Sequence, residues 1–281
     1  MTEVELKMPE IAFGPHRVSR LIVGGNQQIG ASHQSKLMAQ HMLEYFTLDQ
    51  TVAFLRDCIT QGINTWQANY NPKVRDAVTV LHEAGQEMNL ISLSSPQIAE
   101  RDNGWEKLLA LKPLGIYLFG WTADIWYREG KLDKARDFLA RIRDSGVQVG
   151  VGTHRPEVIE YVEEKGWDVD FYLASLYWWG RSPEQVLEIM PEVPHDGYNG
   201  MEIYLPSELP RMCETIRQTR KTCLGFKLFA GGRTGNSTEE VGEIFKNVLG
   251  KIKPGDGLIV GMYPRFKDEI TENADWVKKL G

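Results

Sequence analysis

Three side chains in this sequence combine acid–base chemistry with a position just past an apolar run. Tyr70 closes the stretch Gly62-Ile63-Asn64-Thr65-Trp66-Gln67-Ala68-Asn69-Tyr70, His154 follows Gly152-Thr153, and Lys227 lies within Phe226-Lys227-Leu228-Phe229. A phenol is a weak acid of pKa ~10, an imidazole titrates near ~6.5, and an ammonium group loses its proton more easily once desolvated. Together they form a candidate set for proton transfer. Each has a plainer alternative: Tyr70 as packing, His154 as a polar neighbour of a helix start, and Lys227 as the partner of an acid such as Glu202. Asn26, Gln67 and Asn69 supply amides that could hold a ligand, and Trp121, Tyr177 and Trp178 supply flat contact area. With Trp179, the last two either cover or stack on a sugar-like ligand or anchor a loop. The turn Gly231-Gly232-Arg233-Thr234-Gly235-Asn236-Ser237 opens a helix, which is where phosphate or another anion binds. It could equally be an ordinary capped helix start. His33, His41 and His154 lack the local spacing of metal ligands, and Cys58, Cys213 and Cys223 include no C-x-x-C, so no metal is expected.

The elements that must position these groups follow a regular alternation. Residues 8–19 read as a hairpin around Gly14-Pro15. Apolar strand patterns then begin at Leu21, Ile63, Leu90, Gly115, Val147, Asp170, Leu224 and Leu258. Between them lie helical patterns over 47–61, 73–84, 105–111, 131–145 and 156–165, two more within 177–220, one capped by Ser237 with Glu240, and a last one over 267–280. The strands are continuous apolar runs, as in a parallel sheet buried on both faces. Eight such units in one unbroken domain, 1–281, predict an α/β fold of the (β/α)8 TIM-barrel type with an N-terminal β-hairpin. In a barrel the candidate residues above sit at the C-terminal strand ends, where barrel active sites are built. Residues 27–46 are too long for an ordinary connection and read as a lid or a segment with its own short helix.

Several motifs together resemble the aldo/keto reductases, a bacterial branch in particular. They are Val18-Ser19-Arg20-Leu21 before Gly24-Gly25, Gly62-Ile63-Asn64 before Gln67 and Tyr70, and Gly152-Thr153-His154 before Val158-Ile159. Phe226-Lys227-Leu228-Phe229-Ala230-Gly231-Gly232-Arg233 and Gly261-Met262 before Glu269-Ile270-Thr271-Glu272-Asn273 complete the set. The resemblance covers nearly the whole chain. It implies a barrel plugged by its hairpin and hydride transfer from NADP(H) to a carbonyl. In that reaction a Tyr donates the proton, a Lys lowers its pKa, an Asp pairs with the Lys and a His orients the substrate. It further implies that Gly231, Gly232, Arg233, Met262, Arg265 and Asn273 contact the cofactor. Carried over by position, the Asp is replaced by Gln67, the Lys falls at Ser94-Ser95, and the His falls at Gly120. Tyr70 is the one member retained, in a shortened loop, and a Tyr without its Lys is a poor proton shuttle.

Three functions are compatible with these residues. The first is an oxidoreductase on a small carbonyl or sugar-like substrate with a remodelled site. The second is a non-redox lyase, isomerase or hydrolase of a carbohydrate derivative, using His154, Lys227 and Tyr70. The third is a ligand-binding barrel without turnover. A net charge of −6 argues against a nucleic-acid partner. No apolar run approaches the ~20 residues that span a bilayer, and the acidic N-terminus does not read as a signal peptide. The expectation is a cytoplasmic protein with a small-molecule partner. The sequence carries no sign of an oligomeric state.

Overall fold

Strands that are apolar on both faces cannot sit at a solvated edge, and here they remove their edges by closing. In the computed structural model, which describes residues 6–178, 180–181, 183–189 and 202–281, eight parallel strands form a closed barrel. The chain opens with the antiparallel pair β1 (Glu10–Phe13) and β2 (His16–Ser19), with Ile11 opposite Val18. β3 (Leu21–Gly24) follows, then a short 3-10 turn (Gln27–Ile29), α1 (Lys36–Tyr45) and α2 (Leu48–Thr60). Next come β4 (Thr65–Gln67), α3 (Pro72–Glu83), β5 (Asn89–Ser94), α4 (Pro96–Glu100), α5 (Gly104–Leu109), β6 (Gly115–Leu118), α6 (Gly120–Arg128) and α7 (Ala135–Asp144). β7 (Gln148–Thr153), α8 (Pro156–Glu164), β8 (Phe171–Ser175), α9 (Pro183–Ile189) and α10 (Glu208–Gln218) lead to β9 (Thr222–Phe226), α11 (Thr238–Leu249), β10 (Gly257–Gly261) and α12 (Glu269–Leu280). The barrel closes where β10 pairs with both β3 and β9. This is a (β/α)8 TIM barrel with an N-terminal hairpin.

Two apolar clusters hold it. The larger lies between strands and helices, and the smaller fills the barrel. The second cluster joins Ile22, Tyr117, Phe171 and Ile259 from the strands to Ile11, Phe13 and Val18 from the hairpin, so the hairpin plugs one end. Phe13 meets Phe171 edge-on at 4.7 Å. Gly150 is required here, because a Cβ at that position would lie 2.4 Å from the Phe171 ring. Ser19 and Asn64 exchange bonds of 2.8 and 3.1 Å and tie the plug to β4.

The long segment 27–46 contains α1, whose Ser35 side chain accepts from Met38 N. Two helices were not legible. α4 starts at Pro96 with Ser95 as its cap, so Ser95, read as the end of a strand, is a helix start. α6 begins directly at Gly120, where no helix was expected; its sequence, rich in aromatics, has no clear apolar period. Ser237 caps α11, but the reciprocal half of the expected capping box is altered. Glu240 accepts from the backbone and side chain of Asn236, one residue earlier, rather than from Ser237 N. All three cysteines are buried thiols, and burial pushes Cys213 up to about 11. The expected turn at 195–200 and Trp179 lie outside the described residues. No described helix is long and apolar enough to cross a membrane.

Candidate active site

A cavity of about 640 Å³ opens at the C-terminal ends of the strands, opposite the hairpin plug. Its near end is built by β7, β9 and α6. β9 ends at Phe226, and the next residue, Lys227, has φ +63°, in the left-handed region. That conformation costs a non-glycine residue roughly 1–2 kcal/mol. It swings the chain into the Gly-rich turn, and the Lys227 side chain lines the cavity. Burial drives its ammonium pKa down to about 7; Glu202 and Asp124 oppose that fall, and Arg233 adds to it.

His154 follows β7 and is buried with Asp124, which α6 carries. His154 Nδ1 lies 2.7 Å from Asp124 Oδ2, and the backbone N–H of His154 donates to the same carboxylate at 3.2 Å. Thr153 donates its hydroxyl to Asp124 Oδ1 at 2.5 Å. Gly120 allows this approach, since a Cβ there would stand 3.1 Å from the backbone of Gly152 and Thr153. The carboxylate holds the ring proton on Nδ1 and makes Nε2 the basic nitrogen. Burial lowers the His154 pKa; Asp124 works against that fall and Lys227 deepens it. α8 has Arg155 at its N-cap, with no side-chain cap bond from that residue.

Two further groups complete the near end: Tyr117, which was not singled out in the sequence, and His33, which was weighed there only as a metal ligand. Tyr117 lies on β6 within what reads as an ordinary apolar strand. Gln67 Nε2 donates to its hydroxyl at 2.9 Å, and burial pushes the phenol pKa up. With its oxygen accepting from Gln67, Tyr117 is set to donate its own proton toward a ligand oxygen. His33, between β3 and α1, reaches Glu202 Oε1 at 3.2 Å, and Lys227 and His154 both lower its pKa further after burial. His33 thus lies close to both catalytic candidates. Gln27 Oε1, Asn69 Oδ1 and Thr234 Oγ1 are buried on the cavity wall with no hydrogen-bond partner among the described residues. Ligand hydroxyls or water would satisfy them.

The far end is different. Gln34 Nε2 donates to Gly232 O at 2.8 Å, and Arg233 donates to Ala230 O at 3.2 Å and to His33 O at 3.0 Å while lying over the Tyr204 ring. These bonds fasten segment 27–46 across the Gly-rich turn as a helix-bearing cover. His41 and the Tyr263 hydroxyl, 2.7 Å apart, hold its other end.

Of the candidate residues, the cavity gathers His154, Lys227, Asn26, Gln67, Asn69, Gly231, Gly232 and Asn273. The other seven stand outside its lining. Tyr70 is half-buried against the strand–helix core beside Arg75. The Trp121 ring packs on Gly180, Tyr177 meets Tyr204 edge-on at 5.7 Å, and Trp178 is flanked by the guanidinium groups of Arg155 and Arg181. Arg233 is engaged as described, Met262 is fully buried in the strand–helix core, and Arg265 lies over Tyr45.

No family model and no curated protein matches the chain. Solved structures do. An aldo-keto reductase of Bacillus halodurans in its holo form matches with a TM-score of 0.54 at 12% identity, over 97% of this chain and 91% of that one. An aldo/keto reductase of Brucella melitensis matches with a TM-score of 0.50 at 11% identity, over 99% and 100%. The chain has an aldo-keto-reductase-like fold.

A nicotinamide dinucleotide is the cofactor such a fold implies, and the far end is where its phosphates would need partners. The charges there do not fit. Glu240 already occupies the start of α11, and Glu269, the first residue of α12, accepts from Tyr263 N at 2.6 Å. Lys267 is paired with Glu272 at 2.5 Å and Arg233 with Glu202 at 3.4 Å. A phosphate would enter a turn whose helix starts hold carboxylates and whose nearby cations are paired.

Proposed function

We propose that this barrel is a non-redox acid–base enzyme of the isomerase or lyase class, acting on a small polyhydroxylated carbonyl compound. The observation that carries the reading is the buried His154, bonded to Asp124 behind it and lining the same cavity as Lys227. His154 Nε2 takes a proton from the carbon beside the carbonyl, and Asp124 stabilises the imidazolium that results. Tyr117 donates to the oxygen on which negative charge develops, and burial keeps it protonated for that task. Lys227 meets the carbonyl end of the substrate. Gln27, Asn69 and Thr234 bind substrate hydroxyls through their unsatisfied oxygens. This chemistry needs no nicotinamide, whose phosphates the charges at the far end do not match.

The test is proton NMR in heavy water with a panel of aldoses, ketoses and keto-sugars. Deuterium appearing at the carbon beside the carbonyl with wild type, and lost in His154→Asn, supports the reading. No incorporation across the panel, together with micromolar NADPH binding by calorimetry, would favour an oxidoreductase instead.

A further inference from the structure

A buried amine next to a base, at the wall of a cavity that binds carbonyl compounds, can do more than supply charge. We propose that Lys227 is a covalent residue that condenses with the aldehyde or ketone carbon of the substrate to form an iminium ion. The inference deepens the acid–base reading and rests on it.

Four features of the site support it. Lys227 is held in the left-handed conformation at the end of β9, which directs its side chain to the cavity rather than along the strand. Its Nζ lies 5.5 Å from the centroid of the Tyr204 ring, so an aromatic face is present to stabilise the iminium charge. The charged and titratable groups around it come from every side: Asp124 and His154, Glu202 and Arg233, His33 and Tyr204. Burial, aided by Arg233 and opposed by Glu202 and Asp124, favours the neutral amine, so near pH 7 Lys227 is far more nucleophilic than an exposed lysine.

The step balances without a co-reactant. The Nζ lone pair forms the C–N bond as the carbonyl π pair moves to oxygen. His154 Nε2 takes a proton from the new ammonium and returns it to that oxygen, giving the carbinolamine. A second proton, drawn from solvent, lets the hydroxyl leave as water while nitrogen's lone pair forms C=N. One water is released and one proton taken up. The iminium then draws electrons from the neighbouring carbon, and His154 removes the proton there more easily.

The experiment is reductive trapping. The full chain is incubated at pH 7 with glyceraldehyde, dihydroxyacetone or pyruvate in the presence of cyanoborohydride, and adducts are mapped by peptide mass spectrometry. An ordinary lysine amine of pKa ~10.4 is neutral in only about one part in ~2,500 at this pH, so labelling at Lys227 should exceed that at exposed Lys36 and Lys107 by ~10²–10³-fold. Enrichment at Lys227 with any probe supports the inference. Labelling spread over exposed lysines without enrichment at Lys227 for all three overturns it. Lys227→Arg gives an independent reading, since it keeps the positive charge but cannot form the iminium. Loss of solvent exchange in this variant supports a covalent role. Retained exchange overturns it while leaving the acid–base reading intact, whereas absence of exchange in wild type would count against that reading itself.

Discussion

The two ends of the cavity use the same kinds of residue to opposite effect. At the near end, Asp124, His154, Tyr117 and the Nζ of the half-buried Lys227 are shielded from water, and burial is the leading cause of the pKa shift at His154, Tyr117 and Lys227. At the far end, Glu240 and Arg233 are more exposed and are consumed by the chain's own backbone and ion pairs. A carboxylate buried against an imidazole tunes a base. A carboxylate at an open helix start fills a place that an anion would otherwise take. Under the proposed function, the near end carries the chemistry and the far end closes the cavity.

The sharpest way to break that assignment is at the base. His154→Asn should lower solvent-proton exchange into substrate by ~10³-fold, within the range general-base catalysis contributes. Asp124→Asn should give a loss of similar kind, because the ring then lacks the acceptor that fixes its tautomer. NMR exchange rates for both variants, against a fold checked by circular dichroism, decide the point. A loss under threefold in both would remove catalysis from this end.

Lys227 makes the next prediction, about stability and pH. Its folded pKa is about 7, below the ~10.4 of an unfolded chain. Between those values the unfolded chain holds a proton that the folded chain has released, so this group adds stability as pH rises through the window. The slope is at most ~1.4 kcal/mol per pH unit. Below pH 7 the residue is charged in both states, and its buried charge is a cost that Lys227→Met removes. Urea denaturation should therefore show Lys227→Met gaining most over wild type at pH 6–7, with the gap closing toward pH 9. A gap independent of pH would place the amine in water.

Arg233→Ala tests the far end. If Arg233 fastens the cover, its loss should cost about 1–2 kcal/mol of stability and raise amide exchange in residues 27–46. NADPH affinity, measured by calorimetry, should not change. Weaker NADPH binding in this variant would make the far end a phosphate site after all. The smallest effect belongs to Tyr70→Phe. Tyr70 lies outside the cavity lining, so exchange rates should stay within about twofold of wild type, as for substitutions away from reacting groups. A larger loss would bring back the tyrosine that the aldo/keto reductase resemblance favours.

Much of the fold was legible because it is written locally. Strand runs such as 115–118 and 257–261 are apolar throughout, Gly62, Gly85 and Gly146 stop their helices with positive φ, and Thr47, Asn71 and Ser237 accept from the first turns of theirs. α6 was missed because its aromatic sequence has no period pointing to a core. That omission hid Asp124, whose carboxylate lies 2.7 Å from His154 Nδ1. Tyr117 was missed for a related reason: on an apolar strand a tyrosine reads as core, and here it is both core and part of the cavity lining.

The sequence by itself determined the number of units, their order and the strand ends on which His154 and Lys227 fall. These depend on hydrophobic period, capping and turn chemistry, all set by residues a few positions apart. Tertiary structure alone decided which of those groups meet. Asp124 reaches His154 across thirty residues, Gln67 reaches Tyr117 across fifty, and Gln34 reaches Gly232 across 198. Those contacts are created by barrel closure, which brings strand ends distant in sequence to one rim and strips water from the charges between them. Desolvation depends on everything that surrounds a group, so the depressed pKa of Lys227 could not be read from its neighbours in the chain.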